Sequence, residues 1–108
     1  MRTHDVKLVT VVAARHLKDE LIEFFRAAGI TGYTYGDVLG KGPEQLGQVG
    51  SAETENVKFK ILVSKMISTS LMKAIAERAF FGGKIIVFQQ DASVLRPEKF
   101  GETSSGER

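Results

Sequence analysis

Apolar residues along this chain recur in two rhythms, and the switches between them outline its elements. Val6 to Ala13 (VKLVTVVA) is apolar or β-branched at nearly every position, which predicts an interior strand buried on both faces. Leu17, Leu21, Phe24, Phe25 and Ala28 then fall at helical spacing, with Lys18, Asp19, Glu23 and Arg26 on the opposite side. This predicts a helix from about Arg15 to Ala28. Gly29 ends it, as a residue that tolerates positive φ just past the last turn. A second strand is expected from Tyr33 to Leu39. In the third, Val57 to Val63, Val57, Phe59, Ile61 and Val63 point one way and Lys58, Lys60 and Leu62 the other. A second helix is expected to start near Ser68 or Thr69, either of which can cap a first turn. Leu71, Met72, Ile75, Ala76 and Ala79 form its inward stripe. Phe80-Phe81-Gly82-Gly83 reads as the exit turn and Lys84 to Gln89 as a second strongly apolar strand. Ser93 to Leu95 leaves room for a short edge strand before Pro97 removes a ladder donor.

The order strand, helix, strand, strand, helix, strand is that of two βαβ halves. It predicts an α+β, ferredoxin-like βαββαβ unit, an antiparallel sheet with both helices on one face. Helices then cover one face only, although the first and last strands read as apolar on both. The other face needs a cover, and other copies of the chain supply it, so a homo-oligomer is expected. Residues 1–100 form the single domain, and the polar tail 101–108 (GETSSGER) is expected to be flexible. The connection from Gly40 to Asn56 is too long for a hairpin turn and has no apolar periodicity. Such a connection inside a small domain is usually functional or disordered. The reading here is a sensor that binds a small anion at the loop's base and reports it through the loop's conformation.

Composition narrows the chemistry. With 108 residues the chain can build one core without staples. It has no cysteine, hence no disulfide, thiolate nucleophile or Cys-based metal site, in keeping with a reducing cytoplasm. No apolar run is long enough to span a membrane, and the start, MRTHDVKLV, lacks the pattern of a signal peptide. The net charge is +2, with Lys and Arg scattered, which argues against nucleic acid as partner.

An ordered set of short stretches carries a family resemblance. Gly29-Ile30-Thr31-Gly32-Tyr33-Thr34, Gly40-Lys41-Gly42, Val57-Lys58-Phe59-Lys60-Ile61, Gly83-Lys84-Ile85-Ile86-Val87-Phe88 and Ala92-Ser93-Val94-Leu95-Arg96 together resemble PII signalling proteins over residues 6 to 102. The resemblance implies a trimer that binds adenine nucleotides in clefts between neighbouring subunits. Its loop between strands two and three, the T-loop, contacts target proteins. Typical members open that loop with Gly-Phe-Gly-Arg and carry a Tyr further along. Here it opens Gly40-Lys41-Gly42-Pro43-Glu44, and no Tyr follows. The short loop and the run Glu55-Asn56-Val57-Lys58-Phe59-Lys60-Ile61 look more like the PII-like proteins of inorganic-carbon uptake. Those are regulators of bicarbonate transporters and carboxysome-associated proteins. The transporter regulators have loop Arg residues and often a Cys-containing C-terminal loop, and this chain has neither.

The residues themselves suit such ligands. Phosphate oxygens take backbone N–H groups in a concave nest and a few cations. Gly40, Lys41 and Gly42 offer both, as do Gly82, Gly83 and Lys84, and Arg96 adds a guanidinium fork. The resemblance brings these segments to the cleft, with Phe59 and Leu62 near its base and Thr34 against the adenine or ribose. ADP, AMP, ATP or cyclic AMP are the expected ligands, with bicarbonate at Gly40, Lys41 and Gly42, and no covalent cofactor. Plainer roles compete: Gly-x-Gly as a turn, Gly82-Gly83 as a joint, Lys58 and Lys60 as a solvated face, Met66 and Met72 as core filler, Glu53 and Glu55 as solubilising charge. His4 and His16 are isolated, so no metal site is expected. No Ser/His/Asp set stands out, and catalysis is not expected. The rivals are a CutA-like trimer that binds metal or a partner without nucleotide, a small enzyme using Asp37 or Glu55, and a scaffold whose loop only docks a partner.

Overall fold

A computed structural model describes residues 2–40, 54–78 and 85–95. Strand β1 spans His4–Ala14, followed by a 3-10 turn at Arg15–Leu17 and helix α1 at Lys18–Ala27. Then come β2 (Thr34–Gly40), β3 (Thr54–Val63), α2 (Lys65–Ala76) and β4 (Ile85–Val94). The four strands form one sheet in the order β2-β3-β1-β4, every pair antiparallel. This is the expected ferredoxin-like order, with the third strand laid between the first and second.

The pleat and the register sort the side chains. Val9, Val11 and Ala13 of β1 lie beside Val57, Phe59 and Ile61 of β3, and all six are buried with the helices over them. Leu17, Leu21, Phe24 and Phe25 close the core from α1, and Leu71 and Ile75 from α2. Phe59 is its centre. Its ring lies 5.0 Å from that of Phe25 and 5.7 Å from that of Tyr33, in edge-on contacts that aromatic quadrupoles favour. The opposite face, called open below, carries Val6, Leu8, Thr10 and Val12 of β1, Lys58, Lys60 and Leu62 of β3, and Ile86 and Phe88 of β4. Thr10 is nonetheless buried, because its partners on either side, Lys60 and Phe88, overhang it.

Several boundaries differ from expectation. The first helix opens as a 3-10 turn and becomes α-helical only at Lys18, and Ala28, its C-cap, is exposed. Gly29 ends it as expected, at φ 83°. The Gly29 N–H donates to the carbonyl of Arg26 and the Ile30 N–H to that of Phe25, which satisfies the last carbonyls and docks Ile30 in the core. Helix α2 starts at Lys65, ahead of the expected Ser68 or Thr69. Ser64 is the cap: its backbone is extended and its hydroxyl accepts from the Ile67 N–H at 3.2 Å. Ser68 is instead fully buried inside the helix and donates to the Gln89 side chain, while Thr69 donates back to the Lys65 carbonyl at 3.1 Å. Leu71 and Ile75 are buried, Met72 is half-buried and Ala76 is exposed.

Strand β2 starts at Thr34, with Tyr33 just before it packed on Phe25 and Phe59. β4 does not stop at Gln89, and Ser93 to Leu95 form no separate edge strand. Asp91, Ser93 and Val94 stay in register with Lys7, Asp5 and His4. Neither is β4 buried on both faces: Ile86 is 57% and Phe88 43% exposed on the open face. The turn at Phe80 to Gly83, with Ala79 and Lys84, lies outside the described residues, as do most of the loop and the tail.

Candidate ligand site at the two ends of the sheet

The loop springs from one end of the sheet. At its root Gly40 pairs with Thr54, Leu39 with Glu55 and Val38 with Asn56. Gly40 lies close to its neighbour: a Cβ there would meet the Asn56 side-chain amide nitrogen at 3.0 Å. Arg15, at the turn that leaves β1, reaches both stems. Its guanidinium lies 3.1 Å from the Glu55 carboxylate on β3 and 3.4 Å from the Asp37 carboxylate on β2. All three groups are about half exposed or more, so the clip adds at most about 1 kcal/mol. Its consequence is positional, since one cation ties the loop's two stems to the start of the helical layer. Asp37 and Glu55, the acids an enzyme would have used, are thus partners of Arg15. Ile85 pairs with Ala13 at this same end, so β4 begins beside the loop root.

Other candidates lie further along the sheet, level with the middle of β1. Thr34 opens β2 and pairs with Lys60, and Leu62 follows on the same open face. Gly36 and Lys58 form the next open-face pair, and between these strands lies a cavity of about 160 Å³ lined by Thr34, Tyr35, Gly36, Val38, Lys58 and Lys60. Thr34 and Gly40 are six strand steps apart, about 20 Å. By register Thr34 is level with Thr10 and Phe88, and β4 leaves the sheet six residues further on, with Val94 paired to His4 about 30 Å from Ile85.

The predicted residues therefore separate. Gly40 is at the loop end, and Thr34 and Leu62 lie further along the sheet. Phe59 is of opposite parity to Leu62 on β3 and is 0% exposed. Its side chain packs beneath the sheet, on the face opposite Leu62. Lys41, Gly42, Gly82, Gly83, Lys84 and Arg96 lie outside the described residues. The chain nonetheless enters β4 directly after Lys84 and leaves it just before Arg96, at opposite ends of one strand. Lys58 and Lys60, read from sequence as a solvated face, line the cavity beside Thr34. Their alternation with Phe59 and Ile61 was the available signal, but the register that sets Lys60 against Thr34 is not written in either strand alone.

A larger cavity, about 520 Å³, lies where β1 begins and β4 ends, lined by Asp5, Val6, Lys7, Lys65, Asp91, Ala92 and Ser93. Its charges largely answer one another. Lys7 is ion-paired with Asp91, and its hydrogen bond holds that carboxyl below the usual carboxylate range, while Ser93 donates to Asp5 at 3.4 Å. Among the described residues no group of three or more His, Asp or Glu could hold a metal ion, and no helix is long and apolar enough to cross a membrane.

Comparison with known proteins agrees with this architecture. No curated protein matches the chain. Among solved structures, one described as a PII-like signalling protein from Thermus thermophilus is 27% identical. It superposes with a TM-score of 0.73 over 93% of this chain and 99% of that one. CPII from Thiomonas intermedia, bound to ADP, AMP and acetate, superposes with a TM-score of 0.74 at 20% identity, over 93% of this chain and 98% of its own. The same protein bound to ADP, AMP and bicarbonate, described as a nitrogen regulatory PII-like protein, gives 0.72 at 20% identity, over 89% and 99%. At 20% identity the CPII likeness concerns the fold alone. The family described as nitrogen regulatory protein P-II matches residues 6–99, nearly the whole described domain, and the chain belongs to that family.

Proposed function

We propose that this protein is a PII-like signal-transduction protein of the inorganic-carbon branch. It assembles as a homotrimer and binds an adenine nucleotide, ADP or AMP foremost and ATP or cyclic AMP as alternatives, in the clefts between subunits. The observation that carries this reading is the separation of the candidate residues along β2, between the loop root and the start of the strand. Gly40, at the loop root, and Thr34, on the same strand, are separated by about 20 Å, too far for one mononucleotide to gather both from a single chain. A neighbouring copy that sets the start of its β2 against this chain's loop end brings them together. The open face, with Leu8, Val12, Ile86 and Phe88, is the apolar surface such an assembly would cover.

In this reading the phosphates meet Gly40, Lys41, Gly42, Gly82, Gly83 and Lys84 of one subunit. Thr34, Leu62 and Arg96 of the next meet the remainder of the ligand, and Phe59 acts from below by fixing the strand. Bicarbonate is the second effector, at the backbone N–H groups of residues 40–42. CPII, bound to ADP, AMP and bicarbonate, supports that pairing of ligands. Occupancy shifts the loop, residues 40–56, between populations that a partner distinguishes. The partner is a bicarbonate transporter or a carboxysome component, and the protein works in the cytoplasm without catalysing a reaction. Calorimetry with AMP, ADP, ATP and cyclic AMP, with and without bicarbonate, tests the core of the reading. Saturable binding of at least one nucleotide is expected, and no binding by any of them would refute it.

A further inference from the structure

The two stems of the loop are joined through one side chain on the helix face. Asp37 of β2 and Glu55 of β3 share that face and are diagonal neighbours, because Asp37 pairs with Val57 and Leu39 with Glu55. Such neighbours stand about 7–8 Å apart. Arg15 follows Ala14, the β1 residue paired with Asn56, so it leaves the sheet beside Glu55. Its guanidinium donates to the Glu55 carboxylate at 3.1 Å and reaches past β3 to within 3.4 Å of the Asp37 carboxylate. A planar fork of donors can hold two acids at once in a fixed geometry, which a Lys ammonium does less well. Among the described residues no other Lys, Arg or His pairs with either acid.

This clip sits at the last rungs before the loop. Glu55 is one residue and Asp37 three residues from Gly40–Thr54, the last described pair. The open face is close-fitting at the same level, where a Cβ on Gly40 would meet the Asn56 amide nitrogen at 3.0 Å. Twisting of β2 against β3 is thus checked by contact on one face and by Arg15 on the other. We infer that Arg15 is a positioning residue for the proposed anion site: by joining both stems it fixes the path of the backbone at Gly40, while its own guanidinium is taken up by the two acids and touches no ligand. This rests on the nucleotide site placed at the loop root above, and adds to it a residue of the helical layer that sets its affinity. It also gives Asp37 and Glu55 a role, since an anion site gains nothing from nearby carboxylates unless they hold something in place.

The test uses the full chain and two variants whose charges change in opposite senses. The probe is whichever of ADP, AMP, ATP and cyclic AMP the parent binds most tightly. Arg15→Ala removes one positive charge, and Asp37→Ala/Glu55→Ala removes two negative ones and leaves Arg15 without its acids. All three side chains are half exposed or more, so both variants are expected to fold. Calorimetry measures nucleotide affinity, and hydrogen exchange without nucleotide measures protection of the backbone amides at 37–40 and 54–57. Both variants are expected to bind about two- to fivefold more weakly than the parent, the range that exposed ion pairs allow, and to exchange faster at the stems. A purely electrostatic role would weaken binding by Arg15→Ala but tighten it in the double variant, and that outcome would overturn the proposal. Parental affinity in both variants would overturn it as well, leaving the clip a structural pair only. Weaker binding by Arg15→Ala with stem exchange unchanged would make Arg15 a ligand contact, which also contradicts it. A parent that binds none of the four nucleotides would remove this role and the proposed function together.

Discussion

Phe59 offers a test of whether a buried residue supports the proposed site or touches its ligand. The side chain is 0% exposed, and its ring contacts those of Phe25 at 5.0 Å, Tyr33 at 5.7 Å and Tyr35 at 5.4 Å. Truncating a buried Phe to Ala costs about 3–5 kcal/mol, which is comparable to the whole stability of a marginal small domain. Phe59→Leu is the more informative change. It roughly conserves volume, so repacking costs under about 1.5 kcal/mol. Each lost aromatic pair adds about 0.5–1.5 kcal/mol, and the edge-on contacts to Phe25 and Tyr33 are the best formed. The expected loss is therefore about 2–3 kcal/mol. Urea titration measures it, at one fixed protomer concentration because subunit association shifts apparent stability. Nucleotide affinity, measured well below the unfolding transition, should stay within about threefold of the parent, under about 1 kcal/mol. A variant with parental stability and lost affinity would refute the placement of this ring beneath the site.

Other expectations concern the elements that hold the site in place. Ser64→Ala should cost about 1 kcal/mol, because it removes the acceptor for the Ile67 N–H, and urea titration would show no change if the cap lay elsewhere. Asp91 titrates below the usual carboxylate range because Lys7 donates a hydrogen bond to its charged form. A depressed folded pKa gives stabilisation that is fully present above the unfolded carboxylate pKa and is lost as pH falls through the folded value. Carboxyl-detected NMR titration should therefore find Asp91 restored toward the ordinary value in Lys7→Gln, and an unmoved midpoint would contradict the pairing. Both variants sit away from the open-face cavity and should leave ligand binding as it is.

What was legible before the fold was known follows from which physical signals are local. Strand and helix identities came from period, and period survives without knowing neighbours: Val57, Phe59 and Ile61 alternate into the core as expected. Gly29 was readable because few residues other than glycine take φ 83° comfortably at a helix end. The start of α2 was not. Ser64, Ser68 and Thr69 are all competent caps, and the choice depended on β3 running straight into the helix and on Gln89, far along the chain, taking the Ser68 hydroxyl. The length of β4 was hidden because Gln89, Gln90 and Asp91 are polar. On an edge strand such residues stay in the ladder when β1 offers partners as far as His4. Where the candidate residues lie relative to one another was not legible. Period put Thr34 on a strand but could not put it opposite Lys60, because register belongs to the pair. Nor could it show that Phe59 and Leu62, both expected at the cleft's base, face opposite ways until the covered face was known.

If each ligand cleft takes one end from each of two copies, two defective chains can repair one another. Lys84 and Arg96 flank β4, whose ends lie about 30 Å apart. Lys84→Ala and Arg96→Ala should each abolish high-affinity nucleotide binding, since every cleft in either homotypic assembly lacks one contributor. Mixed in equal amounts and reassembled from denaturant, they should regain parental affinity at about a quarter of the clefts, one half times one half, as a head-to-tail ring requires. Calorimetry on the mixture reads the stoichiometry of tight sites. A tight-site fraction near one quarter is the predicted result, and its absence, in mixtures shown by mass spectrometry to contain both chains, would contradict a cleft shared between subunits.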